Sequence, residues 1–249
     1  MKVLAIDAGN SRIKWGLADG ANGGWLRHAW LNTADAAGMG DAIKDLPAPA
    51  CIVVANVAGE AVRAALTRAL APLNVAPIWI QAREQQCGVR SGYANAAQLG
   101  ADRWAGLIAA WNLHRAACVV VDAGTTMTVD ALSAEGVFLG GVIVPGLELM
   151  RGSLARGTAQ LKLAPGAFCY FPDNTVDAIM SGALNALAGT IERMRGYMEQ
   201  TGQRNESGAP LVILSGGTAA LIQPQLNGRT ELVDNLVLDG LLVIARKGF

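Results

Sequence analysis

The stretch Val3-Leu4-Ala5-Ile6-Asp7-Ala8-Gly9-Asn10-Ser11 recurs near the middle of the chain as Val119-Val120-Val121-Asp122-Ala123-Gly124-Thr125-Thr126. Each copy is an apolar run that ends in Asp-Ala-Gly and passes into small hydroxyl or amide residues. Each then enters a second run, Ile13-Lys14-Trp15-Gly16-Leu17-Ala18 or Met127-Thr128-Val129-Asp130-Ala131-Leu132. Asp7 and Asp122 stand 115 positions apart, close to half of the 249 residues. A duplicated turn between apolar runs predicts two related half-domains, 1–115 and 116–249, that grip a nucleotide between them.

Around these turns the coarse pattern is α/β. Residues 2–7 and 12–18 read as an antiparallel hairpin. Ala50 to Val57 reads as a buried strand, followed by a helix from Gly59 to Leu73 and a strand from Pro77 to Ile80. Gly100 to Arg115 reads as a helix with Trp104, Leu107, Ile108 and Trp111 on one face. In the second half, helices are predicted from Leu147 to Gln160, Asn174 to Gly202 and Asn235 to Lys247. An exposed loop is predicted from Thr201 to Pro210, and a strand from Leu211 to Leu214. Hairpins followed by strand–helix alternation predict a mixed sheet flanked by helices in each half.

Composition narrows the function classes. Lys plus Arg and Asp plus Glu both number 20, so no basic excess favours nucleic acid or a membrane surface. The mean hydropathy is +0.31, yet the apolar stretch Gly136–Leu147 is far short of the ~20 residues that a spanning helix needs. Asp7 interrupts the first apolar run too early for a signal segment, so a cytoplasmic location is expected. The cysteines, Cys51, Cys87, Cys118 and Cys169, show no CxxC spacing, and Cys51 and Cys118 read as core thiols. Two histidines, His28 and His114, leave little room for a histidine triad or metal cluster.

Four motifs can carry chemistry. In Asp7-Ala8-Gly9-Asn10-Ser11-Arg12-Ile13-Lys14, a glycine turn lets a phosphate approach the backbone, and Lys14 adds a cation. Asp7 suits a hydrated Mg²⁺. The competing reading is a plain hairpin turn. In the second copy, Thr125 and Thr126 can donate to phosphate oxygens, and Asp122 can hold a divalent or a monovalent cation. Ser215-Gly216-Gly217-Thr218 ends a strand where a ligand could approach backbone. Asp102-Arg103 opens a helix, either as cap and salt bridge or as a general base beside an anion-orienting arginine. The chain lacks GxxxxGK[ST], so a P-loop is excluded.

Two Asp-Gly loops, a Gly-Gly strand-to-helix turn and duplicated halves resemble the acetate/sugar kinase, Hsp70 and actin superfamily. Within it, Asp7 to Gly16, Leu99-Gly100-Ala101-Asp102-Arg103-Trp104, Asp122 to Thr126, Gly140 to Gly146 and Asn174 to Ala178 occur in the order seen in type III pantothenate kinases. The resemblance runs from Ile6 to Gly217. It implies two actin- or ribonuclease H-like halves, the second on the adenosine side, and a cytoplasmic homodimer. The reaction it implies is ATP-dependent phosphorylation of pantothenate, the first step of coenzyme A synthesis, with Mg²⁺ and K⁺ or NH₄⁺.

By the same resemblance, Asp7, Ala8, Gly9, Asn10, Ser11, Arg12, Ile13 and Lys14 would hold ATP phosphates, with Mg²⁺ reached from Asp7 through water. Thr125 would contact the nucleotide and Asp122 the monovalent cation. Tyr93, Gly100, Ala101, Asp102 and Arg103 would line the pantothenate site, with Asp102 as proton acceptor. Thr175 would contact pantothenate, or cap a helix starting near Val176. Ser11 and Ala96 depart from the family's usual Thr and Pro without removing the chemistry.

Overall fold

The computed structural model describes residues 1–19, 24–158, 161, 164–205 and 208–247. The chain forms two compact units, Met1–His114 with Asn235–Phe249, and Arg115–Asp234.

The first unit opens with β1 (Lys2–Ala8), β2 (Arg12–Asp19) and β3 (Trp25–Asn32). It continues with α1 (Met39–Ile43), β4 (Cys51–Asn56), α2 (Glu60–Leu70) and β5 (Pro77–Trp79). The short strands β6 (Gln85–Gln86) and β7 (Val89–Ser91) precede α3 (Ala101–His114). The sheet order is β3-β2-β1-β4-β5. β1, β2 and β3 pair antiparallel, whereas β4 runs parallel to β1 and β5 parallel to β4. Leu4, Ile6, Ile13, Trp15 and Leu17 face a core with Met39, Ile43, Leu66 and Leu70 from α1 and α2. The residues between them in β1, Val3 and Ala5, are equally buried. Burial on both faces is why β1 reads as an unbroken apolar run rather than an alternating one.

The second unit repeats the plan. β8 (Cys118–Ala123), β9 (Thr126–Leu132) and β10 (Val137–Pro145) form the antiparallel part. α4 (Leu147–Gly157) and α5 (Thr175–Gln200) follow, then β11 (Leu211–Ser215), α6 (Ala219–Ile222) and β12 (Thr230–Leu232). β11 is parallel to β8, and β12 to β11. The order β10-β9-β8-β11-β12 therefore matches β3-β2-β1-β4-β5 strand for strand. Leu184, Leu187 and Ile191 of α5 pack on Val119, Val121, Met127 and Val129. Cys51 and Cys118 are buried as expected, and burial pushes the Cys118 thiol up to about 12.

The sequence reading misses β3, β12 and the β6–β7 pair. It starts the helix α2 one residue early and carries it through a 3₁₀ turn that ends at Leu73. Of the predicted helix to Gln160, the structure gives α4 to Gly157; Gln160 lies outside the described residues, as do residues 206–207 of the predicted loop.

One boundary needs correction. The last helix, α7 (Leu236–Lys247), was expected in the 116–249 half, but it packs in the first unit against α3, β1, β2 and β4. Residues Leu241 to Ala245 form one buried apolar run, which only an all-round seat can satisfy. Trp25 Nε1 donates to Asp239 Oδ1 at 2.9 Å, and Lys247 Nζ to Asn112 Oδ1 at 3.1 Å. The α3–α7 contact is backbone on backbone, since a Cβ at Gly240 would fall 1.8 Å from the Ala105 carbonyl oxygen. Gly240→Ala must push the two helices apart. We expect a loss of about 2 kcal/mol or more, read as a lower denaturant midpoint; an unchanged midpoint would disprove the seat.

Candidate functional site

Both Asp-Ala-Gly turns lie at the C-terminal end of a buried strand. In the first, Asp7 is buried near the end of β1 and stands opposite Lys14 in the β1–β2 register. The turn spans Gly9 to Arg12 and is closed by the Gly9 N–H donating to the Arg12 carbonyl at 3.1 Å. Asn10, Ser11 and Arg12 are exposed, Gly9 and Lys14 half-buried. Ala8 and Ile13 are fully buried in the core, so any contact of theirs with a ligand runs through the backbone.

The turn is held from two sides. Val57 N–H donates to the Ala8 carbonyl at 3.0 Å. From β3's end, the Thr33 hydroxyl donates to the Gly9 carbonyl at 2.6 Å and the Thr33 N–H to the Ser11 carbonyl at 3.1 Å. The Arg12 guanidinium lies 4.4 Å from the centroid of the Trp30 ring. Thr33 and Trp30 were not found from sequence, because nothing in 25–33 signals a strand end.

The Asp102 region adjoins the same turn through Val57. A Cβ at Gly100 would lie 3.7 Å from Val57 Cγ1 and only 2.5 Å from Asp102 Oδ1. Glycine at 100 therefore leaves the space that the Asp102 carboxylate fills. Asp102 sits in the first turn of α3 and accepts the Arg103 N–H at 2.7 Å. Burial pushes its carboxyl above the ordinary value of 3.8, against the opposing pull of the Arg103 N–H and charge. A desolvated carboxylate has the chemistry to accept a proton. Arg103 Nη1 reaches the Tyr93 hydroxyl at 3.4 Å. Ala101 is buried as the first residue of α3.

The second turn is shorter by one residue. Ala8 pairs with Ile13, but Ala123 pairs with Met127. Gly124 N–H donates to the Thr126 carbonyl at 3.0 Å. Thr125 is exposed at the tip. Two glycine segments press on this turn. Gly146 N–H donates to the Thr125 carbonyl at 3.0 Å, and a Cβ there would fall 2.2 Å from the Gly124 carbonyl. Gly216 has φ +98°, and its Cβ would meet the Ala123 backbone at 2.6 Å. Thr218 N–H donates to the Ala123 carbonyl at 3.1 Å. The Gly-Gly motif at 216–217 thus braces the second turn. Asp122 is half-buried and stands in register with Thr128 of β9 and Ser215 of β11, both buried hydroxyls.

Thr175 is exposed as the first residue of α5. The cap is Asn174, whose side-chain oxygen accepts the Asp177 N–H at 3.0 Å. The capping reading of Thr175 is thereby replaced, one position early. Among the described residues, no helix is long and apolar enough to cross a membrane.

A sequence model of type III pantothenate kinases matches residues 3–196. The chain is 49% identical over 245 residues to a type III pantothenate kinase of Nitrosospira multiformis, covering 98% of this chain and 91% of that one. It is 49% identical over 246 residues to the type III pantothenate kinase of Aromatoleum aromaticum, covering 98% of each. Among solved structures, the fold is similar to the ethanolamine utilization protein EutJ from Carboxydothermus hydrogenoformans, with a TM-score of 0.55 at 14% identity over 100% of this chain and 90% of that one. It is also similar to a chain of the PilM–PilN type IV pilus biogenesis complex, with a TM-score of 0.54 at 12% identity over 98% of each. These structural neighbours share the actin-like ATPase fold.

The raised Asp102 carboxyl makes a stability prediction. Its folded state binds a proton more tightly than the unfolded state, so its favourable contribution exists below the ordinary value of 3.8 and is lost as pH rises through the raised value. Asp102→Asn has no charge to bury and keeps an oxygen for the Arg103 N–H. Its melting temperature should exceed the parent's at neutral pH, with the gap closing as pH falls toward about 4. Equal melting temperatures at neutral pH would mean that the carboxylate is not desolvated.

Proposed function

The chain belongs to the type III pantothenate kinase family, and from that premise we propose how its residues divide the work of moving the ATP γ-phosphoryl to the primary hydroxyl of pantothenate. The observation that carries the assignment is the desolvated Asp102 carboxylate beside Arg103, in the segment that the family resemblance implies lines the pantothenate site.

Asp102 accepts the hydroxyl proton as the oxygen–phosphorus bond forms and the bond to the β-phosphate oxygen breaks, releasing ADP. Its raised proton affinity brings the base closer to its task at neutral pH. Arg103, with Tyr93 at its guanidinium, orients the pantothenate carboxylate, and Gly100 and Ala101 shape the wall. Thr175 adds a contact to pantothenate. The first turn, Asp7 to Lys14, receives ATP phosphates on backbone donors and the Lys14 ammonium. Thr125 contacts the nucleotide from the second turn.

The donor sets fit the implied ions. Asp7 offers one buried carboxylate, which suits a Mg²⁺ that keeps its waters, and the ion would neutralise phosphate charge. Asp122, flanked in register by the Thr128 and Ser215 hydroxyls, offers hard oxygen ligands that suit K⁺ or NH₄⁺. We propose a homodimer as the working form on the family resemblance, to be checked by sedimentation.

The direct test is ADP release from Mg-ATP with and without pantothenate, first in K⁺ and then in Na⁺. Pantothenate-dependent release that requires K⁺ is expected, and Asp122→Asn should remove the difference between the two ions. Asp102→Asn should lower kcat by about 10²-fold or more. Wild-type turnover in that variant would remove Asp102 from the chemistry.

A further inference from the structure

The first turn owes its orientation to β3, the strand that the motif does not include. Two of the turn's carbonyls, those of Gly9 and Ser11, are taken by one residue, Thr33, through its hydroxyl at 2.6 Å and its N–H at 3.1 Å. All peptide bonds here are trans. In a trans peptide the C=O and the following N–H point in opposite directions. Engaging those two carbonyls therefore turns the N–H groups of Asn10 and Arg12 away from Thr33. A short turn of exposed polar residues has many other arrangements, and most would aim a carbonyl where a phosphate must come.

The adjacent cation is fixed from the same strand. Trp30 stands opposite Lys14 in the β2–β3 register, and the Arg12 guanidinium lies 4.4 Å from its ring centroid. Trp30 is 54% exposed, so its burial does little for the core. An exposed tryptophan beside a cation in an edge strand is explained by what it holds. Asp7, Lys14 and Trp30 thus form one row across β1, β2 and β3, with Arg12 two residues nearer the turn.

We infer that Thr33, with Trp30 beside it, is a positioning element for the nucleotide phosphates: Thr33 sets the peptide planes of the first turn and Trp30 holds the Arg12 charge at its mouth. This rests on the reading of that turn as the ATP phosphate site. Neither side chain need touch the nucleotide. Their removal should weaken nucleotide binding without touching the acceptor or the base.

The experiment uses the full-length protein and two readouts, steady-state kinetics and calorimetric binding of Mg-ADP. Thr33→Val keeps the backbone bond to Ser11 and loses the bond to Gly9. It should raise the KM for ATP and the Kd for Mg-ADP by about fivefold each, the size of one hydrogen bond's net worth. The KM for pantothenate and kcat should stay within about twofold, and Thr33→Ser should restore parent values. Trp30→Leu should raise the same two constants, with Trp30→Phe recovering part of the loss; it also carries the test should Thr33→Val not fold. Unchanged nucleotide constants in Thr33→Val and Trp30→Leu would overturn the inference, as would equal losses toward both substrates. A parent that binds Mg-ADP but ignores pantothenate would sink the acceptor assignment alone, since the calorimetric comparison still reads the turn.

Discussion

A strand buried on both faces can meet water, ions or a ligand only at its end. β1 and β8 are such strands, and each carries one carboxylate, Asp7 or Asp122, at the next-to-last residue. The rest of the molecule follows from that placement. Packing on both faces fixes where the strand ends lie, and the turn that follows must be tight, because the partner strand begins at once. Small residues and backbone hydrogen bonds are then the means left to shape a site. Gly9, Gly124, Gly146 and Gly216 all sit within this constraint, and the last three are in close backbone contact at the second turn.

The same constraint explains the unequal treatment of acids. Asp102 lies at a helix start, where a carboxylate is ordinarily comfortable, yet its neighbours bury it. Gly100 and Val57 make the space, and the compensation from the Arg103 N–H and charge is smaller than the desolvation. A group held in a state that costs stability is usually held there for chemistry. Asp177 shows the opposite balance. It is half-buried, accepts the Ala167 N–H at 2.7 Å, and bonding from Ala167 and Asn174 holds its carboxyl below the ordinary value. One acid stabilises a helix start, and the other is held in a desolvated place that the proposed proton transfer would use.

Much of the fold was legible because buried strands announce themselves. Val3 to Ile6 and Val119 to Val121 are unbroken apolar runs, and both end in Asp-Ala-Gly. β3 was not legible for the converse reason. From Leu26 to Trp30 every residue is exposed, so neither face leaves an apolar period in the sequence. Thr33 and Trp30 were hidden with it. The exact turn lengths were hidden too: the match of Asp7 with Asp122 concealed that the first turn holds one residue more, Arg12 being the extra cation. At Thr175 the signal was ambiguous by one position, since Asn and Thr both make good caps and only geometry chooses between neighbours. The assignment of α7 failed because chain order is a poor guide to packing when an apolar helix can cross back to another unit.

That return of α7 bears on the order in which the protein can be made. Synthesis runs from the N-terminus, so the ribosome releases β1 to α3 first, then all of the second unit, and only then Leu236–Lys247. The nascent first unit must wait with the seat beside Ala105, Asn112 and Trp25 uncovered while the second unit, whose segments are contiguous, can finish folding. For those last moments the earlier-born unit is the less mature one.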